Sequence, residues 1–308
     1  MDAPAELSLL GLDRERFKRS DSKAWRGPCP QCGGKRRFAV FTYKPFPKWI
    51  CVCDHCHLKV WADQLVPSLK SEISPAEREK WTREREERTA KELDAQRIKR
   101  ERLVNERPWI KYHSKLNKEH RSQWLSWGIS DEWQDKLLLG YCIKQYIDST
   151  GARRSSPAYV IPYFHTEMEF ITLQYRLFNC PNPNDRYRFE YGLGTSYYQT
   201  APDKPIGKVA LITEGVKKGI VTKIYGGLDL SVLSIPSKSD FAGVVNAVKH
   251  CKKVYVLLDP DAELWAIELC TRIGTTSKMV ILPEKIDDLI LKDVSAAPAI
   301  LSTALGGI

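Results

Sequence analysis

Short apolar runs separated by helix-length amphipathic stretches dominate the last third of the chain. Val209-Ala210-Leu211-Ile212-Thr213 is the first run, Leu230 to Ile235 the second, Val254 to Leu258 the third and Met279 to Leu282 the fourth. Helical stretches are expected around 216–225, 239–250 and 262–273. Strand–helix alternation of this kind predicts a parallel sheet with helices on its faces. Between Trp109 and about Pro205 the texture differs: Tyr159 to Tyr163 and Phe170 to Arg176 are β-rich and aromatic. The turn residues Pro181 to Asp185 separate them from Arg186-Tyr187-Arg188-Phe189. This segment reads as a mixed α+β unit with an exposed basic sheet surface.

Pro75 to Arg107 is nearly free of apolar residues and dense in Glu, Lys and Arg. Glu79/Arg83, Glu84/Arg88 and Glu87/Lys91 are i,i+4 pairs with the acid first, the stabilising order. Pro75 behind Ser74 marks a helix start and Pro108 its end. An exposed charged helix acting as a spacer is predicted. The chain is therefore expected to be an α/β and α+β multidomain protein. Residues 1–68 form a small β module, 69–107 a helical linker, 108–205 a mixed α+β unit and 206–308 the parallel sheet.

At 308 residues the chain is long enough for two or three domains with real cores. No apolar stretch reaches the roughly 18 residues of a membrane span, and the first residues lack the features of a secretory signal. A cytoplasmic protein with reduced thiols is expected. The net charge of +10 favours a polyanionic partner.

Two knuckles, Cys29-Pro-Gln-Cys32 and Cys53-Asp-His-Cys56, carry the sharpest chemistry. Paired Cys-x-x-Cys turns supply the four thiolates of a closed tetrahedral Zn²⁺ site. Cys51, His55 and His57 stand close enough in sequence to substitute within the second knuckle. The remaining cysteines are scattered and expected to be buried. Lys35, Arg36 and Arg37 offer phosphate contacts. Phe38, Phe41, Tyr43 and Trp49 offer stacking surface, though strand alternation places about half of such side chains in the module's own core.

Glu214 follows the first strand of the C-terminal sheet, and Asp259-Pro260-Asp261 follows the third. Sites in open α/β sheets form beyond the carboxyl ends of the strands. Carboxylates gathered there call for a cation, and Mg²⁺ suits oxygen ligands and phosphate chemistry. Two plainer roles compete: Asp261 as a helix N-cap, and Glu214 in a first helical turn.

Leu211-Ile212-Thr213-Glu214-Gly215 together with Leu257-Leu258-Asp259-Pro260-Asp261 resembles the Toprim pattern of a strand-end Glu-Gly and a later Asp-x-Asp. Trp25-Arg26-Gly27-Pro28-Cys29-Pro30-Gln31-Cys32-Gly33-Gly34 resembles the opening of the primase zinc ribbon. In that order the two are similar to DnaG-type primases, most closely the phage and mobile-element branch. The resemblance implies a DNA-templated RNA polymerase that makes short primers. Glu214, Asp259 and Asp261 would be catalytic and hold Mg²⁺ or Mn²⁺, and Asp287 beside Asp288 would belong to a later acidic motif. Trp127 to Ser130 and Leu139 to Tyr141 resemble the start of the polymerase core, and Ile161-Pro162 and Gln174 to Arg176 its nucleotide-facing segment. Arg176, Arg186, Arg188, Lys217 and Lys218 would contact nucleotide or nucleic acid. Implied partners are single-stranded DNA, ribonucleoside triphosphates and a separate replicative helicase, in a bacterial cytoplasm. Lys217-Lys218 depart from the family, whose cellular members carry an acid there, and Leu264 stands where many Toprim motifs have glycine. Two rival readings are a Toprim metal-dependent nuclease and a non-catalytic zinc-containing single-stranded-DNA-binding protein.

Overall fold

The computed structural model describes residues 3–306 apart from 22, 44, 45, 47, 57, 66–74, 179, 181, 183, 184, 228 and 242. His57, Ser74, the 68/69 boundary and most of the turn from Pro181 lie outside the described residues. The chain divides into two compact units, Met1–Lys91 and Glu92–Ile308.

The first unit is an antiparallel meander: β1 (Lys18–Asp21), β2 (Ala24–Gly27), β3 (Phe38–Phe41), β4 (Ile50–Cys53) and β5 (Lys59–Trp61), in that order across the sheet. The basic, aromatic stretch after the first knuckle thus forms a hairpin in which β3 pairs with β4. Phe38, Val40, Trp25, Trp49 and Cys51 face one small core with Leu7 and Phe17. Val40 is registered against Cys51 and Trp25, so alternation along β3 sends these side chains inward.

The charged segment is one helix, Pro75–Glu106, with Glu79 3.5 Å from Arg83. It stops because Arg107 (φ 46°) precedes Pro108, whose ring disfavours the helical region for its neighbour.

In the second unit, β6 (Gly140–Ile147), β7 (Arg153–His165), β8 (Glu169–Leu177) and β9 (Tyr187–Phe189) form an antiparallel sheet in sequence order. After β10 (Tyr198–Gln199) comes a parallel sheet: β11 (Val209–Glu214), β12 (Ser231–Ile235), β13 (Lys253–Leu257) and β14 (Ser277–Met279). Its order is β10-β12-β11-β13-β14, with β10 antiparallel at the edge. Alternate residues feed opposite faces. Leu211, Val232, Tyr255 and Leu257 pack with the helix Val216–Tyr225 and with Tyr159, Ile161 and Tyr163 of β7. Ala210, Ile212, Leu233 and Val256 pack with the helix Glu263–Ile273.

Two predicted elements are shorter in the fold. The stretch 239–250 contributes only Val244–Ala247, because Gly243 sits at φ +81° and delays the helix. The fourth apolar run pairs only as far as Met279. The Val280 N–H still donates to Val256 O at 2.9 Å, after which Ile281 is exposed and Pro283 has no N–H to offer.

Glu190 ties the unit together. Lys99 and Lys144 each stand 2.9 Å from its carboxylate, and the Tyr175 hydroxyl donates to it at 2.7 Å. Burial alone would push this carboxyl up, but the bonds from Tyr175, Lys99 and Lys144 outweigh it and hold the pKa down at about 2. A depressed carboxyl stabilises the fold above its unfolded pKa and loses that contribution as pH falls toward the folded value. Glu190→Gln is expected to cost about 2 kcal/mol at pH 7, from the lost charge-assisted bonds. Denaturation curves of variant and parent should converge as pH falls from about 4.5 toward 2; a gap that stays constant with pH contradicts this.

Candidate functional site

In the first unit the sulfurs of Cys29, Cys32, Cys53 and Cys56 all lie within 4.8 Å of one another. Cys29 Sγ is 3.7 Å from Cys56 Sγ, and Cys32 Sγ is 3.6 Å from Cys53 Sγ. A tetrahedron of zinc–sulfur bonds near 2.3 Å has edges of about 3.8 Å, so the four sulfurs are spaced for that ion. Local hydrogen bonds shape the knuckles: Gly33 N donates to Cys29 O at 2.9 Å, and Cys53 N to Leu58 O at 2.8 Å. Cys51 shares the inward face of β4 with Cys53 but lies outside the sulfur cluster, fully buried in the core, where burial pushes its thiol up to about 12. The cluster is compatible with Zn²⁺, and among the described residues no other group of three or more His, Cys, Asp or Glu side chains converges this closely.

Lys35, Arg36 and Arg37 are exposed immediately before β3. Of the four aromatics expected to offer stacking surface, Phe38 and Trp49 are buried. Phe41 stacks on exposed Tyr43 with centroids 5.5 Å apart.

The second constellation lies at the carboxyl end of the parallel sheet. The crossover from β11 leads to β12 on one side, and the crossover from β12 returns past β11 to β13 on the other, so the winding reverses at β11. The crevice between β11 and β13 is the topological switch point, where open α/β sheets bind ligands. Glu214 is the last residue of β11, and Asp259 lies two residues past Leu257, the end of β13. Gly215, at φ +79°, turns the chain from strand to helix, a conformation costly for any side chain. Glu214 is thus a strand-end residue, not a first-turn one. Asp261 accepts no helix-capping bond; the cap of the following helix is Ala262. Neither plainer role is realised.

Glu214 is half-buried, and its Oε2 has no hydrogen-bond partner. Burial first, then the charges of Asp259 and Asp261, push its carboxyl up, while Lys218 and Lys238 pull it down. The Asp carboxylates are each met by lysine. Lys218 Nζ reaches Asp259 at 2.7 and 2.8 Å, spanning both oxygens. Lys285 Nζ is 3.9 Å from the same group, and Lys238 Nζ is 2.9 Å from Asp261. Lys217 Nζ is 2.8 Å from Asp287, whose Oδ1 is buried without a partner. Asp288 is exposed beside it.

Lys217 and Lys218 therefore turn onto carboxylates. Arg176 lies 4.0 Å above the Trp127 ring, and its Nε donates to Tyr187 OH at 3.3 Å. Arg188 pairs with Asp185 and faces the Tyr146 ring, whereas Arg186 is exposed. Lys238 and Lys285 escaped the sequence reading. The strand-end rule applied to β12 would have found Lys238, three residues past Ile235; nothing local marks Lys285.

No protein-family model matches the chain, and no curated protein matches it by sequence. Solved structures do. A primase of Aquifex aeolicus, comprising zinc-binding and RNA polymerase domains, is 18% identical with a TM-score of 0.52 over 94% of this chain and 79% of that one. A DnaG primase catalytic domain bound to single-stranded DNA is 16% identical with a TM-score of 0.53, over 68% of this chain and 82% of that one. A DnaG catalytic core is 16% identical with a TM-score of 0.51, over 65% and 78%. The likeness is one of fold: an N-terminal four-cysteine β module and a mixed α+β core of primase type. No described helix is long and apolar enough to cross a membrane.

Proposed function

We propose that this chain is a DNA primase that synthesises short RNA primers on single-stranded DNA, with a Toprim-type catalytic centre at Glu214, Asp259 and Asp261. The observation that carries the reading is the unpartnered buried oxygen of Glu214 at the switch point of a primase-type core. A buried carboxylate oxygen without a donor fits a cation ligand, and the neighbouring Asp pair supplies further oxygens. A divalent ion bound there, Mg²⁺ or Mn²⁺, would neutralise phosphate charge and lower the pKa of the attacking hydroxyl.

In the reaction proposed, the 3′-hydroxyl oxygen of one ribonucleotide bonds to the α-phosphorus of the next. The bond to the bridging oxygen breaks, pyrophosphate leaves, and the hydroxyl proton is lost to solvent. Glu214, Asp259 and Asp261 orient the ion; Asp287 supports them from the helix Ile286–Lys292. Arg176 and Arg186 offer charge-assisted bonds to triphosphate or template phosphate, with Arg188 held beside them by Asp185. In the first unit, Lys35, Arg36 and Arg37 contact the template backbone, and the Phe41–Tyr43 stack receives unpaired bases. Zinc holds that module together.

The lysine pairing of Asp259, Asp261 and Asp287 favours a second reading, a zinc-containing single-stranded-DNA-binding protein that makes no primers. One assay separates the two. Purified protein is incubated with random single-stranded DNA, labelled ribonucleoside triphosphates and Mg²⁺. Short labelled oligoribonucleotides are expected. Binding of the DNA without any product supports the second reading, and shortening of the DNA points to a nuclease.

A further inference from the structure

Around Glu214 the charges already balance. Glu214, Asp259 and Asp261 face Lys218, Lys238 and Lys285, and Asp287 has its own partner in Lys217. A carboxylate cluster built to hold two divalent ions without help would carry excess negative charge, since two such ions bring four positive charges. Here three of the four carboxylates are engaged by lysine, and Lys218 bridges both oxygens of Asp259 with its side chain only 15% exposed.

That lysine is delivered by the fold. It lies on the first turn of the helix Val216–Tyr225, and Gly219 lets this helix ride close over the sheet. A Cβ at Gly219 would come within 2.0 Å of Ser234 Oγ. The close approach presses the Lys218 stem against the strand ends and fixes the ammonium on Asp259. Glu214, by contrast, keeps an oxygen with no partner.

Resting on the catalytic assignment above, we infer that Lys218 is a built-in cation in place of a second divalent ion, so that the carboxylates hold one ion anchored on Glu214. A fixed ammonium of low exposure offers positive charge that does not dissociate. It also repels a second metal ion from Asp259, an effect that grows as solvent is excluded.

The test is a manganese titration of the zinc-loaded 308-residue chain, read by the electron paramagnetic resonance signal of free Mn²⁺ and needing no catalysis. The parent chain is expected to bind one Mn²⁺ beyond its zinc. Lys218→Met should take up a second ion, or bind the first about tenfold more tightly or better, because a competing positive charge is gone. Lys218→Arg keeps the charge and should match the parent chain. Glu214→Gln should lose the ion. Two ions in the parent chain, both lost in Glu214→Gln, would keep the carboxylate assignment and overturn the role of Lys218. Equal stoichiometry and affinity in Lys218→Met and the parent chain would overturn it as well. Unchanged manganese binding in Glu214→Gln removes the assignment itself, and this inference with it. Far-ultraviolet circular dichroism of each variant verifies that it is folded, and the Lys218→Arg arm reads the charge alone.

Discussion

Asp259→Asn is expected to lower primer synthesis at least about 100-fold while leaving affinity for single-stranded DNA nearly unchanged. The substitution keeps the side chain's shape and removes its charge. Preorganised charge at the point where phosphate charge develops is worth about 10²–10³ in rate when a single group is removed. In this chain the change also strands Lys218, whose ammonium spans both Asp259 oxygens, and leaves the cluster with a surplus positive charge. DNA affinity rests on basic side chains and counterion release, and Asp259 contributes to neither. The measurement pairs a primer-yield assay with a binding titration at one salt concentration. Full primer yield in the variant, or loss of DNA binding parallel to loss of synthesis, would contradict the catalytic assignment. Glu214→Gln should behave alike, and the pH profile of the parent chain carries a further sign that this variant lacks. Burial and the neighbouring aspartates raise the Glu214 carboxyl, and ligation needs the ionised form. Activity and Mn²⁺ affinity should therefore rise with pH, through a step lying above the ordinary glutamate range.

Cys53→Ser is expected to unfold the N-terminal module outright. Structural zinc supplies on the order of 10 kcal/mol of folding free energy to small modules of this kind. The core here is small, built around Phe38, Trp25, Trp49 and Val40, and β4 carries both Cys53 and the inward-facing Cys51. Loss of one sulfur breaks the tetrahedron that ties Cys29 to Cys56 and Cys32 to Cys53. Elemental analysis should give about one zinc per chain in the parent and none in the variant, since a closed four-ligand site holds one ion. Limited proteolysis should then cut within β1 to β5. Cys51→Ser makes the contrasting case. It buries a hydroxyl in an apolar site at a cost of about 1–3 kcal/mol, yet keeps every ligand. Zinc retained by Cys51→Ser and lost by Cys53→Ser is the expected pair; zinc lost equally from both would contradict the ligand set.

Several features were legible in residue order because their cause is local. Knuckle spacing brings two thiolates to one turn regardless of the rest of the fold, and the charged run from Pro75 forms its helix through i,i+4 neighbours and stops at a proline. The apolar period of β11, β12 and β13 announced a parallel sheet. Two predicted elements were cut short by backbone conformation and pairing: Gly243 at positive φ delays one helix, and β14 ends where its last ladder bond to Val256 is made.

By itself, the sequence determined the four-cysteine module, the charged helix, the alternating α/β region and the position of Glu214 and Asp259 at strand ends. Only the tertiary structure decided which of these groups meet. Cys51 and Cys53 share one face of β4, and only the fold brings the knuckle of Cys29 and Cys32 against Cys53 and leaves Cys51 among the core side chains. Lys218 and Asp259 are 41 positions apart, and the ammonium reaches the carboxylate only because the helix after β11 lies close over the sheet at Gly219. Lys238 and Lys285 complete the balance from two other loops. Pairings of that range depend on sheet order and on the approach of packed elements, and neither is written in the identity of neighbouring residues.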